Sequence, residues 1–268
     1  MRSYLKNYKM TDFDPAAARY DRSFTHTLIG RAQRNRVRDM LDKILCDNPI
    51  KKVLEINCGT GEDAIWLGDK GLEVTATDIS PQMIAQSQSK SYRKNVSFLT
   101  ADINQLPGPF ANDRFDLIFS NFGGLNCLSP IRLELFFKHA SLLLPDGAKM
   151  LLVLMPRNTK WEQAYFLVKK DFAQVFRRKK PGAIAQVDGQ TVLTYYYNPR
   201  EIAALAEPYF ACGRVNPIGF FVPPSYLEPY FARRKKLFSV LDHCERQVYR
   251  LRFLASHSDH YGIEFTKR

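Results

Sequence analysis

Glycines and carboxylates follow the predicted strands in the first half of this 268-residue chain. A hydrophobic strand at 53–56 contains Glu55 and runs into a turn that holds Gly59 and Gly61, and a second strand ends on Asp78. Glycines let the backbone turn tightly and approach a ligand closely. An acid after the second strand can accept hydrogen bonds from ribose hydroxyls. This pattern predicts a binding site for a nucleotide-like cofactor.

Two cofactors are compatible with this turn. Residues 59–64 satisfy the G-x-G-x-x-G/A pattern of nicotinamide dinucleotide sites, and Asp78 lies about where that pattern needs its acid. However, Glu55 lies where dinucleotide folds usually keep apolar residues. A third strand, at 96–100, ends near Asp102, which could reach an adenine amino group. Three acids on successive strands suit a cationic cofactor better than one with a pyrophosphate, which favours S-adenosylmethionine.

With these features the chain resembles the class I S-adenosylmethionine-dependent methyltransferases of the small-molecule type. The segments that carry the resemblance, in the family's order and spacing, are 53–67, 74–84, 99–107, 115–128 and 143–154. The resemblance implies a Rossmann-like α/β fold, in which a seven-stranded sheet has an antiparallel last hairpin. One departure is Asn57, which stands where the family usually has the first glycine of its loop. Because asparagine tolerates left-handed backbone better than most residues, we expect the loop to keep its shape.

The resemblance also implies which residues surround the cofactor. Asp78 would bind the ribose, Met83 would flank the adenine, and Tyr20 would close over the methionine end as part of an N-terminal lid. Alternatively, Tyr20 only packs the lid. The predicted cofactor-binding residues are Tyr20, Glu55, Asn57, Gly59, Gly61, Asp78, Ile79, Met83, Ala101, Asp102, Ile103 and Asn121.

The acceptor site is predicted where two insertions, 157–198 and 222–256, meet at the carboxyl ends of the strands. Both insertions are rich in aromatic residues, which suits an apolar or aromatic small molecule as acceptor, with oxygen as the methylated atom. Alignment supplies much of the rate of methyl transfer, but a phenol or carbon acid also benefits from a base. His26, just past the lid, is the candidate base. The alternative is a histidine that only bonds to groups near the start of a helix.

Basic residues exceed acidic ones by 12, although residues 51–156 carry 10 basic and 11 acidic side chains. Two tetrads, at 177–180 and 233–236, concentrate the excess. We interpret them as solvated charge at helix ends, with an anionic membrane surface or an acidic substrate as alternatives. A nucleic-acid partner is disfavoured because no RNA-binding module is recognisable. A nucleic-acid or membrane-lipid methyltransferase, and a non-catalytic cofactor-binding subunit, stay open as alternative functions.

The chain is predicted to form one domain with three parts: a helical lid at 1–50, a cofactor-binding core at 51–156, and a remainder at 157–268 that carries the cap insertions. The five scattered cysteines include no C-x-x-C pair, so neither a metal site nor a disulfide framework is expected. No targeting segment and no apolar stretch of about 18 residues is evident, which predicts a cytoplasmic location.

Periodicity gives further expectations for individual elements. In the helix that includes residues 28–45, Arg31, Arg34 and Arg38 are predicted to face away from the apolar side. An Asp-Gly pair between alternating segments indicates a hairpin, with its turn at Asp188-Gly189. The elements predicted after residue 156 are a helix at 161–178, a hairpin at 183–197, a helix at 199–207, a strand at 214–221, a helix at 226–255 and a strand at 260–266.

Overall fold

The computed structural model describes residue 14 and residues 17–180, 182–187 and 190–268. The rest of the predicted lid, residues 1–13, 15 and 16, lies outside this description. The strands are β1 (Lys52–Ile56), β2 (Glu73–Asp78), β3 (Val96–Thr100), β4 (Leu117–Ser120), β5 (Lys149–Leu154), β6 (Ala183–Val187), β7 (Gln190–Thr194), β8 (Phe210–Ile218) and β9 (His260–Lys267). The helices are α1 (Ala17–Tyr20), α2 (Leu28–Asp47), α3 (Glu62–Asp69), α4 (Pro81–Lys90), α5 (Pro130–Leu143), α6 (Lys160–Val168), α7 (Phe172–Val175), α8 (Pro199–Ala206), α9 (Glu228–Phe231) and α10 (Lys235–Val248).

Seven strands form one mixed sheet in the order β3-β2-β1-β4-β5-β9-β8. Strands β1 to β5 pair in parallel, whereas β9 is antiparallel to both β5 and β8. The predicted Rossmann-like sheet with an antiparallel last hairpin is therefore confirmed. Strands β6 and β7 pair separately as an antiparallel hairpin. That confirms the predicted hairpin, although its Asp188-Gly189 turn lies outside the described residues.

Helices cover both faces of the sheet because side chains alternate along each strand. Leu54 and Ile56 of β1 belong to the core that packs with α5 and α8, whereas Val53 belongs to the core that packs with α2 and α3. Strands buried on both faces read as nearly continuous apolar runs. For this reason the polar residues at the carboxyl ends of β1, β2 and β4 stand out in the sequence.

The prediction of one continuous helix over 161–178 is wrong, because the helix ends early. Helix α6 ends at Val168, and Lys170 adopts a left-handed backbone with a φ of 58°. That conformation does not continue a right-handed helix. The chain resumes as the short α7 and then makes a tight turn at Arg177–Lys179.

The helix predicted over 226–255 is also broken, into α9 and α10. Arg234, which precedes α10, has φ −128° and ψ 51°, outside the helical region. Strand β8 begins at Phe210, earlier than predicted, and Gly219 turns the chain after it with a φ of 75°. Helix α8 and strand β9 agree with their predictions to within a residue. Within the described residues, every helix is too short or too polar to cross a bilayer.

The two basic tetrads differ in environment. Arg178 is 6% exposed, and its Nη2 lies 2.9 Å from a carboxylate oxygen of Glu162 and 3.2 Å from one of Asp259. Arg177 pairs with the same Glu162 at 2.8 Å. The interpretation of this tetrad as solvated charge is therefore wrong for Arg178, whose charge is neutralised in the interior. The tetrad at 233–236 is exposed throughout.

Candidate cofactor and acceptor site

The turn between β1 and α3 has the backbone that a close-fitting ligand loop requires. Asn57 adopts the left-handed conformation with a φ of 57°, so the loop survives the replacement of the usual glycine. At Gly61, with a φ of 76°, an added Cβ would lie 2.6 Å from the Phe98 ring. At Gly59, with a φ of 54°, no heavy atom of the described residues lies within 4 Å of the position that a Cβ would occupy. Packing therefore excludes a side chain at Gly61, whereas Gly59 leaves its backbone accessible to a ligand.

Asp78, at the carboxyl end of β2, ties this turn to the next helix. Its Oδ2 accepts a hydrogen bond from the Gly59 N–H at 2.9 Å, and its Oδ1 accepts one from the Ser80 N–H at 2.9 Å. Ser80 in turn caps α4 by accepting from the Met83 N–H at 3.1 Å. Burial raises the pKa of Asp78, and the two N–H donors oppose that rise. The carboxylate thus lies between the glycine turn and α4, where the ribose of a nucleotide is expected.

Glu55 has a buried carboxylate that can accept a further hydrogen bond. The residue is 1% exposed, and its Oε2 has no hydrogen-bond partner among the described residues. Burial raises the pKa of Glu55 well above its usual range, and the nearby Asp63 carboxylate adds to that rise. An unsatisfied buried acceptor is costly. A ligand that carries a cationic N–H donor, such as the amino group of a methionine moiety, would therefore be stabilised here.

A buried charge pair lies beside this carboxylate and was not predicted from the sequence. The Arg34 guanidinium, 6% exposed in total, donates to the carboxylate of Asp63. Asn121, in the loop after β4, donates through Nδ2 to the same carboxylate at 2.7 Å. Arg34 is therefore buried against the Asp63 carboxylate and does not face solvent. The pair fixes the start of α3 against α2, and its carboxylate holds the Asn121 side chain beside Glu55.

The lid lies across the glycine turn and the start of α4. Asp21 accepts hydrogen bonds from Thr60 Oγ1 at 2.6 Å and from Lys90 Nζ at 2.7 Å. The carboxylate of Asp14 accepts one from the Ser80 hydroxyl. Tyr20 packs with Ala17 of the lid and Met83 of α4. Burial raises the pKa of Tyr20 to about 12, although the charge of Arg34 opposes the rise.

Aromatic rings continue from the lid to the far strands of the sheet. The ring centroids lie 5.8 Å apart for Tyr20 and Phe24, 4.8 Å for Phe24 and Phe122, and 5.5 Å for Phe122 and His260. Phe122 follows Asn121 in the loop after β4, and His260 begins β9 at the same edge of the sheet. These four rings form a row along the carboxyl edge of the sheet, here called the aromatic row.

The remaining predicted residues divide into two groups. Met83 and Ile103 are buried, and Ile79, Ala101 and Asp102 are half-buried near the carboxyl ends of β2 and β3. Strand β2 lies between β1 and β3, so these residues share one edge with Glu55 and Asp78. One oxygen of Asp102 is engaged locally, because it accepts from the Asn104 N–H at 2.8 Å.

His26 lies at the surface. Its side chain is exposed and lines a cavity of about 240 Å³ with Thr25, Arg31, Arg34, Asn35, Arg38 and Glu62. Two aromatic residues of the cap insertions hydrogen-bond to backbone carbonyls. Tyr197 is 2% exposed and donates to the Leu128 carbonyl at 2.6 Å, and Trp161 donates to the Phe220 carbonyl at 2.9 Å.

The residues present fit S-adenosylmethionine. The unpartnered Glu55 oxygen suits an ammonium group, and the open face of Gly59 admits a ligand against the backbone. Asp78 lies between the glycine turn and α4, and its carboxylate would accept hydrogen bonds from ribose hydroxyls. The strand order and these residues are like those of the class I S-adenosylmethionine-dependent methyltransferases, and residues 53–147 match a methyltransferase domain.

Comparisons with known proteins agree with this assignment. Residues 53–147 match the family described as "Methyltransferase domain". A demethylmenaquinone methyltransferase of Renibacterium salmoninarum is 31% identical over 118 residues, which are 44% of this chain and 47% of that one. A malonyl-(acyl-carrier protein) O-methyltransferase of Enterobacter lignolyticus is 32% identical over 110 residues, 41% of this chain and 42% of that one. Each match spans less than half the length of the relative.

A solved structure shows the same fold over nearly the whole chain. Magnesium protoporphyrin IX methyltransferase (ChlM) from Synechocystis PCC 6803, with bound SAH, superposes with a TM-score of 0.59 and 16% sequence identity. The alignment covers 96% of this chain and 97% of that one. At this identity the likeness concerns the fold alone, so the acceptor requires its own argument.

Proposed function

We propose that this protein transfers the methyl group of S-adenosylmethionine to an oxygen of a small molecule with an apolar or aromatic body. The observation that carries the proposal is the arrangement of Glu55 and Asp78 around the glycine turn, with the aromatic row beside it. Two relatives with matching segments are named for methyl transfer, one to demethylmenaquinone and one to an oxygen of malonyl-(acyl-carrier protein).

The protein's own residues would act mainly by binding and alignment. S-Adenosylmethionine supplies an electrophilic methyl group on a sulfonium. Glu55 would hold the amino group, Asp78 the ribose hydroxyls, and Tyr20 with the rest of the lid would exclude water from one side. Alignment of donor and acceptor can supply roughly 7–11 kcal/mol of the barrier in favourable cases. Phe24 and Phe122 would support the body of the acceptor.

The proposal is tested by incubating the protein with methyl-labelled S-adenosylmethionine and a metabolite extract, followed by mass spectrometry of the labelled products. We expect the label in a methyl ester or methyl ether of an apolar small molecule. Label on nitrogen or carbon would contradict oxygen as the acceptor atom. Label in RNA would support the nucleic-acid alternative, and cofactor binding without any labelled product would support a non-catalytic subunit.

A second candidate is an acceptor that lies at an anionic membrane surface. The turn between α6 and α7 exposes Val168 by 83% and Phe172 by 69%, with exposed Lys169 and Lys170 between them. Apolar side chains beside cations are the combination that binds anionic bilayers. Labelled membrane lipid as the product, with no labelled water-soluble metabolite, would favour this candidate.

His26 is proposed as a general base or a residue that orients the acceptor. A neutral imidazole within reach of a hydroxyl acceptor can contribute about 10²–10⁴-fold to the rate. We therefore expect His26→Ala to lower turnover at least tenfold while cofactor affinity stays intact, measured with the acceptor found above. His243→Ala, which removes an exposed histidine on α10, is the control. Turnover of the His26 variant within twofold of the parent would assign His26 a purely structural role.

A further inference from the structure

Three arginines of α2 line one cavity beside the cofactor site. Arg31, Arg34 and Arg38 are separated by three and four residues, so their side chains lie on one face of the helix. Glu62, the first residue of α3, and His26 complete the wall described above. The volume of about 240 Å³ is several times the roughly 30 Å³ that a water molecule occupies in the liquid. A small polar group and its hydration water would fit.

The positive charge in this cavity is only partly neutralised. Arg38 Nη2 lies 3.6 Å from Glu62 Oε1, and Arg38 Nε lies 3.5 Å from Asp63 Oδ1. Arg34 also pairs with Asp63. The Nε of buried Arg34 has no hydrogen-bond partner among the described residues. Arg31 is exposed, and within the described chain its guanidinium makes neither an ion pair nor a hydrogen bond. The three guanidinium groups that line the cavity therefore have two carboxylates as partners there, and some of their N–H donors have no acceptor among the described residues.

We propose that this cavity binds an oxyanion carried by the acceptor, a carboxylate, phosphate or phosphonate group. Guanidinium groups present planar pairs of N–H donors that match such oxyanions. The inference rests on the proposed function, because it assigns an anionic group to the acceptor of that reaction. The apolar body of the acceptor would lie along the aromatic row, and its charged end in the arginine cavity.

The carboxylate of the cofactor's methionine moiety has the same chemistry, so the test must distinguish the two sources. Inorganic phosphate is titrated calorimetrically into the full chain saturated with S-adenosylhomocysteine (SAH), at constant ionic strength. We expect phosphate to bind despite the bound SAH. Arg31→Gln should weaken phosphate binding at least fivefold and change SAH affinity less than twofold. Arg200→Gln, which removes an exposed arginine on α8, should leave both affinities unchanged.

Three results would overturn the inference. Failure of phosphate to bind the parent, or equal binding to the parent and to Arg31→Gln, would leave no anion site at Arg31. Competition between phosphate and SAH, with SAH affinity lost in Arg31→Gln, would assign the cavity to the cofactor's own carboxylate. A parent that does not bind SAH would refute the proposed function instead, and the same phosphate titration on the SAH-free chain would still decide whether the cavity binds anions.

Discussion

Asp78→Ala is expected to weaken the binding of SAH at least tenfold. The substitution removes the carboxylate proposed to accept from the ribose hydroxyls, and loss of such hydrogen bonds costs about 1–3 kcal/mol. It also removes the acceptor of the Gly59 and Ser80 N–H groups, each 2.9 Å away, so the glycine turn and the start of α4 lose their common anchor. A loss of about 1.4 kcal/mol already corresponds to a tenfold change in the dissociation constant. Titration calorimetry measures the effect directly.

A control variant separates this effect from the loss of any surface carboxylate. Asp146 lies in the turn before β5, and its side chain is 87% exposed. Asp146→Ala should leave SAH affinity within twofold of the parent. If Asp78→Ala also stayed within twofold, Asp78 would be an anchor of the loop only, and the ribose would bind elsewhere.

Glu245→Ala is expected to lower the free energy of unfolding by about 3–5 kcal/mol, more than most single substitutions, because it breaks a buried polar network. Glu245 of α10 is fully buried. Its carboxylate accepts from four consecutive N–H groups, those of Gly219, Phe220, Phe221 and Val222, at 2.6–3.3 Å. Alanine would leave these donors without their acceptor, and each buried unsatisfied group costs about 1–3 kcal/mol. Partial relaxation and water entry keep the total below the sum.

Urea denaturation followed by circular dichroism measures this loss, and a variant on the same helix serves as the control. Gln247 has a side chain of similar size but is exposed, so Gln247→Ala should change stability by less than about 0.5 kcal/mol. Equal stability of the two variants would mean that water replaces the carboxylate at no net cost and that Glu245 does not hold the cap.

Sequence patterns predicted the cofactor half of the molecule well, because its determinants are local. The parallel strands are short apolar runs, and glycines or acids within or just after several of them mark where the chain turns at the carboxyl edge of the sheet. Asn57 stands where the resembled family has a glycine and was expected to keep the shape of the loop, and the structure gives it a left-handed φ of 57°. The cap was predicted less well, because its helices end at positions such as Lys170, where no glycine or proline marks the break.

The buried arginines show what helical periodicity cannot supply. A polar face identified from one helix is assumed to meet water, but α3 brings Asp63 against that face of α2 and buries Arg34. Arg178 is buried in the same way, between Glu162 and Asp259. In both cases the partner is distant in the sequence. No local pattern of charges distinguishes these residues from the solvated arginines nearby.

The contacts that hold the lid closed determine how often the protein adopts a form with the lid open. Asp21 contacts Thr60 and Lys90, and Asp14 contacts Ser80. We expect these contacts to break when an adenosyl group enters or leaves. Partly exposed contacts of this kind contribute about 0.5–1 kcal/mol each, so the open lid would be a minor state of a few per cent or less. Because the lid is also closed in the proposed complex, its opening affects the rates of cofactor binding and release and not the equilibrium affinity. Cofactor exchange would thus be slower than the pocket alone dictates, and product release would limit turnover if lid opening is slower than the chemical step.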